Sequence, residues 1–162
     1  MSLTGILRLN ERMEKNRIRM EMSGRVLALD FGKRRIGLAI SDELGITAQG
    51  MPTLYRTTLR EDLRHLIQLI EQREVKHLLM GLPLHMSGHE GRQVASVKEF
   101  GDRLSTEAGV PIEYWDERLT SVEANRVLKQ SGVSIEKRAR AVDQLSAVIL
   151  LESYLSRSAP CE

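Results

Sequence analysis

A single cysteine, Cys161, stands one residue from the carboxyl end of the 162-residue chain, so no disulfide can close within it and no thiolate cluster can gather a metal. That usage fits a reducing compartment, and the cytoplasm is the expected location. Aromatic residues are scarce, with one Trp, three Tyr and two Phe. A stacking platform for unpaired bases needs more aromatic surface than this, so any contact with nucleic acid is expected to run through phosphates. No apolar run approaches the roughly 18 residues of a membrane span, and no membrane partner is expected. The stretch from Met1 to Glu21 is charged and lacks the apolar centre of an export signal. Internal repeats and low-complexity segments are absent as well.

What is present suits a globular domain, with 41% hydrophobic and 28% charged residues. A formal charge of +2 and a pI near 8.8 permit nucleic-acid binding without requiring it. The expected division is a charged extension over residues 1–22, one domain over 23–157, and a short tail over 158–162. The patterning predicts strands over about 25–31, 35–41 and 48–55, with Pro52 marking an edge or bulge. Thr58-Leu59-Arg60-Glu61 reads as a capping box opening a helix whose apolar face is Leu63, Leu66, Ile67 and Ile70.

A buried strand is then expected from His77 to Gly81, followed by a Gly/Pro-rich loop. Val94, Val97, Phe100 and Leu104 mark a second helix, and Val110 to Trp115 the last strand. A further capping box, Thr120-Ser121-Val122-Glu123, predicts a helix to about Lys129. Ser131 to Arg140 reads as a polar, basic loop. A final helix is expected to carry Val142, Leu145, Val148, Ile149, Leu151 and Leu155. Antiparallel strands first, then alternating helix and strand, give an α/β fold with a mixed five-stranded sheet flanked by helices.

Chemistry concentrates on three acids. Asp30 interrupts the apolar run Val26-Leu27-Ala28-Leu29-Asp30-Phe31-Gly32, where an ionised carboxylate is costly unless something compensates it. It either helps hold a divalent cation or a phosphate-bearing ligand, or accepts hydrogen bonds from the adjoining turn. Glu117 follows the last strand at the carboxyl end, where ligands gather in open sheets; the plainer reading pairs it with Arg118. Asp143 is expected to open the final helix, where the helix dipole favours an acid with or without a ligand. With the first strand central and beside the fourth, all three can converge. Oxygen-only ligation then favours Mg²⁺ or Mn²⁺ over zinc, and a pair of ions about 4 Å apart suits phosphodiester hydrolysis.

Cations are less decisive. Lys33, Arg34 and Arg35 follow Asp30, and Lys33 and Arg34 are the favoured phosphate contacts, against a solvated turn. Arg118 either orients Glu117 or touches a phosphate. Lys129, Lys137, Arg138 and Arg140 form either a basic lip near Asp143 or a solvated charge run. His85 and His89 lack the spacing of a helical metal pair and read as surface loop, while Trp115 reads as packing.

Four segments occur in one order. They are Leu29-Asp30-Phe31-Gly32-Lys33-Arg34-Arg35-Ile36-Gly37, Gly81-Leu82-Pro83-Leu84 with Gly88 and Gly91, Asp116-Glu117-Arg118-Leu119-Thr120-Ser121-Val122-Glu123-Ala124, and Val142-Asp143-Gln144-Leu145. Together they resemble the YqgF family, also called RuvX or Holliday-junction-resolvase-like, over about residues 25–156. The resemblance implies an RNase H-like fold and a divalent-metal-dependent nuclease maturing the 5′ end of pre-16S ribosomal RNA in the bacterial cytoplasm. It places the catalytic and metal-ligating carboxylates at Asp30, Glu117 and Asp143. His85 and Ser87 stand where the family often has Asn and Asp, and Ser146 where Ala is common. The expected partners are structured RNA or branched DNA, bound by a monomer or homodimer. Two rivals share these residues: a nucleotide-hydrolysing domain of the actin-like ATPase type, and an RNA-binding assembly factor without turnover.

Overall fold

The computed structural model describes residues 24–83, 91–116 and 135–158, except the side chains of 135–143 and 157–158. Strands β1 (Arg25–Phe31), β2 (Arg35–Ser41), β3 (Ala48–Tyr55), β4 (Val75–Leu82) and β5 (Ile112–Asp116) form one sheet in the order β3-β2-β1-β4-β5. β1 pairs antiparallel with β2, and β2 with β3, while β4 and β5 run parallel to β1. The expected mixed sheet therefore forms, and β1 lies between β2 and β4 at its centre. A central strand covered on both faces explains why Val26 to Leu29 is a continuous apolar run rather than an alternating one.

Helices α1 (Leu59–Gln72) and α2 (Arg92–Ala108) cover one face, and α3 (Ile135–Ser158) covers the other. Leu27 and Leu29 pack with Leu63, Leu66, Val97, Phe100 and Leu104 on the first face. Val26 and Ala28 pack with Ala147, Leu150, Leu151 and Tyr154 on the second. The predicted apolar stripes of α1 and α2 are the buried ones, with Ile67 half-buried at the margin.

Local signals act as the sequence suggests, with one rearrangement. Gly32 N–H donates to Arg35 C=O at 2.9 Å, and a Cβ on Gly32 would meet that oxygen at 2.7 Å, so the β1–β2 turn requires glycine. Thr58 Oγ1 caps α1 by accepting from Glu61 N–H at 3.2 Å. The reciprocal half of the box is replaced, because the Glu61 carboxylate accepts from Thr57 Oγ1 at 2.7 Å instead. The register of β2 and β3 shifts opposite Met51 to Leu54, the bulge that Pro52 signalled on this edge strand.

Four expectations need correction. α3 begins at Ile135, so residues 135–140 are helix and not loop. Glu, Lys, Arg and Ala are strong helix formers, and polarity alone does not break a helix. Asp143 consequently lies more than two turns inside α3 and does not open it, so the dipole argument, confined to the first turn, does not apply. Among the described side chains of α3 the buried ones are Ser146, Ala147, Leu150, Leu151 and Tyr154, with Leu145, Val148, Ile149 and Leu155 half-buried. Apolar residues surround that segment, so their spacing selects no face. β4 starts two residues early, at Val75, and β5 starts two residues late, at Ile112. Val110 is instead bound to the end of α2 through its N–H and C=O, both to Ser105. The predicted helix over Thr120 to Lys129 lies outside the described residues, as do the 1–22 extension and the loop with His85 and His89.

Candidate active site

Asp30 is the penultimate residue of β1 and is half-buried, not enclosed as its apolar neighbours implied. Strand alternation puts it on the face of Val26 and Ala28, beneath α3. Its partner across β2 is Gly37, and on β4 Gly81 comes one step beyond the Leu29–Met80 pair. Glycines thus flank the carboxylate on both sides. They weaken their strands slightly and add no side chain of their own beside the carboxylate, and glycine in a strand often marks a close approach of a ligand or another backbone.

α3 crosses this face obliquely. Gln144 packs over Gly50 of β3, where a Cβ would lie 2.7 Å from its side-chain nitrogen. At the other end the Tyr154 hydroxyl donates to Glu113 of β5 at 2.8 Å, and the Tyr154 ring meets Trp115 edge-on at 5.4 Å. Trp115 is therefore packing, as expected. Asp143 stands one turn before Ala147 and two before Leu150 in the same helix. Its side chain lies outside the described residues, as do those of Lys137 and Arg138. Glu117 and Arg118, directly after β5, are outside them entirely. Among the described residues no three His, Cys, Asp or Glu side chains group closely enough to hold a metal.

Lys33 and Arg34 are exposed on the β1–β2 turn. The residue that holds this turn is Arg56, which the sequence reading missed. Its Nη1 donates to the carbonyls of Gly32 at 3.0 Å and Lys33 at 3.3 Å. Its Nε donates to Asp62 Oδ2 at 3.3 Å, and its guanidinium lies 4.3 Å from the Phe31 ring centre. Asp62, only 2% exposed, also accepts from Thr57 N–H at 3.0 Å. A fully buried carboxylate is thereby matched by a cation whose other donors fix the two residues after Phe31. The available signal was Arg56 two residues before the helix cap, with Asp62 inside the first turn.

The family described as RuvX, Holliday junction resolvase, matches residues 24–157. The chain belongs to that family. A relative from Koribacter versatilis named "Putative pre-16S rRNA nuclease" is 54% identical over 134 residues, 83% of this chain and 88% of its own. One of the same name from Myxococcus xanthus is 42% identical over 136 residues, covering 84% and 90%. The fold of this RuvX chain is shared with the fowlpox virus resolvase solved with Holliday junction DNA, at a TM-score of 0.55 and 12% identity over 84% of this chain and 99% of that one. Thermus thermophilus RuvC with a Holliday junction aligns at a TM-score of 0.50 and 13% identity, covering 82% and 95%. Family membership places the chain among nucleases, hydrolases of phosphodiester bonds. The RNase H-like architecture expected from the resemblance is the one observed.

Proposed function

We propose that this RuvX chain is a divalent-metal-dependent nuclease that trims the 5′ end of pre-16S ribosomal RNA in the cytoplasm, with Asp30, Glu117 and Asp143 as its metal-holding carboxylates. The observation that carries the reading is Asp30, half-buried at the carboxyl end of the central strand between Gly37 and Gly81. Two arguments support its partners. Glu113 and Trp115 lie on the α3 face of β5, and Glu117 has their parity. Asp143 precedes Ala147, Leu150 and Tyr154 by four, seven and eleven residues, the spacing of one helical stripe.

An all-carboxylate set fits a hard cation, Mg²⁺ or Mn²⁺, and suits neither zinc nor copper. Such ions, when bound, would neutralise charge at the scissile phosphate and make water a stronger nucleophile. Asp30 and its partners orient that charge. Lys33, Arg34, Arg118, Lys137 and Arg138 place the nucleic-acid backbone, with Arg56 holding the turn on which Lys33 stands. Duplex RNA presents shape and phosphates more than readable bases, so sequence preference is modest.

RNA is favoured over DNA because the relatives at 54% and 42% identity carry the rRNA name. The family's description supports branched DNA as the second substrate. Among the described residues no helix is long and apolar enough to cross a membrane. The test offers 5′-extended pre-16S RNA and four-way DNA junctions side by side, with Mn²⁺ or with EDTA. The RNA should be cut only with Mn²⁺. Cutting of junctions alone would move the assignment to DNA, and RNA binding without cutting would support an assembly factor.

A further inference from the structure

On the opposite face of the sheet from Asp30, a cleft of about 560 Å³ opens between the β1–β2 turn and the solvent side of α2. Phe31, Phe100 and Leu59 form its floor, and Lys33, Arg56, Arg92 and Arg103 surround it, with Glu99 as its one carboxylate. Arg92, Ser96, Glu99 and Arg103 recur at four-, three- and four-residue steps. They make one exposed stripe of α2, about 16 Å long at 1.5 Å per residue. Phe100 is buried and the Arg56 guanidinium covers Phe31, so the floor offers no free ring on which a base could stack.

The cations differ in commitment. Arg56 is engaged with Asp62 and the turn carbonyls. Arg103 pairs with Glu107 at 2.9 Å, but both are largely exposed, and such i,i+4 pairs hold their members weakly. Among the described residues, no carboxylate pairs with Lys33 or Arg92. A solvated helix face would explain scattered charges. It does not explain four cations converging on one cleft whose rim is the turn that follows Asp30.

We propose that this cleft binds the sugar–phosphate backbone of the nucleic-acid substrate beyond the scissile site. The strand passes over the Gly32–Lys33 turn from the Asp30 face to α2, with Arg92 and Arg103 as phosphate contacts. This rests on the nuclease reading for the identity of the ligand, and it extends the footprint to the other face of the sheet. Glu99 opposes the strand and limits its affinity.

The test is fluorescence anisotropy of 5′-extended pre-16S RNA with the full chain in EDTA, where cutting plays no part, titrated from about 50 to 200 mM KCl. Arg92→Ala and Arg103→Ala should each lower the slope of log affinity against log salt by about 0.7–0.9. Each should weaken binding several-fold at low salt, and Glu99→Gln should tighten it. A short RNA confined to the Asp30 face should bind all three variants as it binds the wild type. Unchanged slopes for both arginine variants, equal losses on short and long RNA, or no RNA binding by the wild type would overturn the proposal. These side chains are exposed, so circular dichroism should show unchanged folding. Wild-type protein that binds with the predicted slopes but never cuts would overturn the nuclease reading and leave the cleft intact.

Discussion

Arg56 shows how much of this site depends on a residue without chemistry of its own. Its ion pair with Asp62 neutralises a carboxylate that is 2% exposed, and its remaining donors fix the Gly32–Lys33 turn. Removing one partner of such a pair strands the other charge, so Arg56→Ala should cost about 3 kcal/mol in chemical denaturation. Replacing both, as Arg56→Met with Asp62→Leu, should recover much of that stability. A double variant as unstable as Arg56→Ala would show that the loss does not come from the stranded Asp62 charge. Asp30 was legible in the sequence because an acid in an apolar run is conspicuous. Arg56 was not, because its importance lies in a carbonyl pair 23 and 24 residues away. The half-exposure of Asp30 was also hidden, since its cross-strand neighbours, Gly37 and Gly81, lie on other strands.

At the scale of elements, α3 was the least legible. Its apolar residues surround the helix, so spacing did not select the stripe of Ala147, Leu150, Leu151 and Tyr154, and a charged first segment disguised its true start. Ser146 is 3% exposed in this helix, and its hydroxyl has no hydrogen-bond partner among the described residues. Burying an unsatisfied hydroxyl is costly, so Ser146→Ala should stabilise the protein by about 1 kcal/mol. Thermal unfolding should then rise by about 2–4 °C for a chain of this size.

The β2–β3 turn gives a pH-dependent counterpart. Asp42 Oδ1 accepts from Thr47 N–H at 3.0 Å and Ile46 N–H at 2.7 Å. The Thr47 amide, then the Ile46 amide, Asp42's own backbone and Arg25, lower its pKa below the usual carboxylate value against a smaller opposing effect of burial. A depressed folded-state pKa contributes stability above the unfolded value of 3.8, lost as pH falls through the folded one. The stability gap between wild type and Asp42→Asn should therefore be constant near pH 6 and shrink below about pH 4. A gap that stays constant down to pH 2 would contradict this.

At the scale of the molecule, strand order and layering were the most legible features. A doubly covered central strand, a hairpin and two strand–helix units leave few ways to build a sheet, and β1 between β2 and β4 follows from them. The same order brings the carboxyl ends of β1, β4 and β5 to one edge, where Asp30 stands and after which Glu117 follows. The central claim is that Asp30, Glu117 and Asp143 act as one metal-holding unit. Its most direct measurement is Mn²⁺-dependent cleavage of 5′-extended pre-16S RNA by Asp30→Asn, Glu117→Gln and Asp143→Asn, each checked for folding. On the proposed reading each substitution removes a ligand, not an outer partner, so each folded variant should lose activity by more than about a hundredfold. Normal cutting by any folded variant would contradict the account.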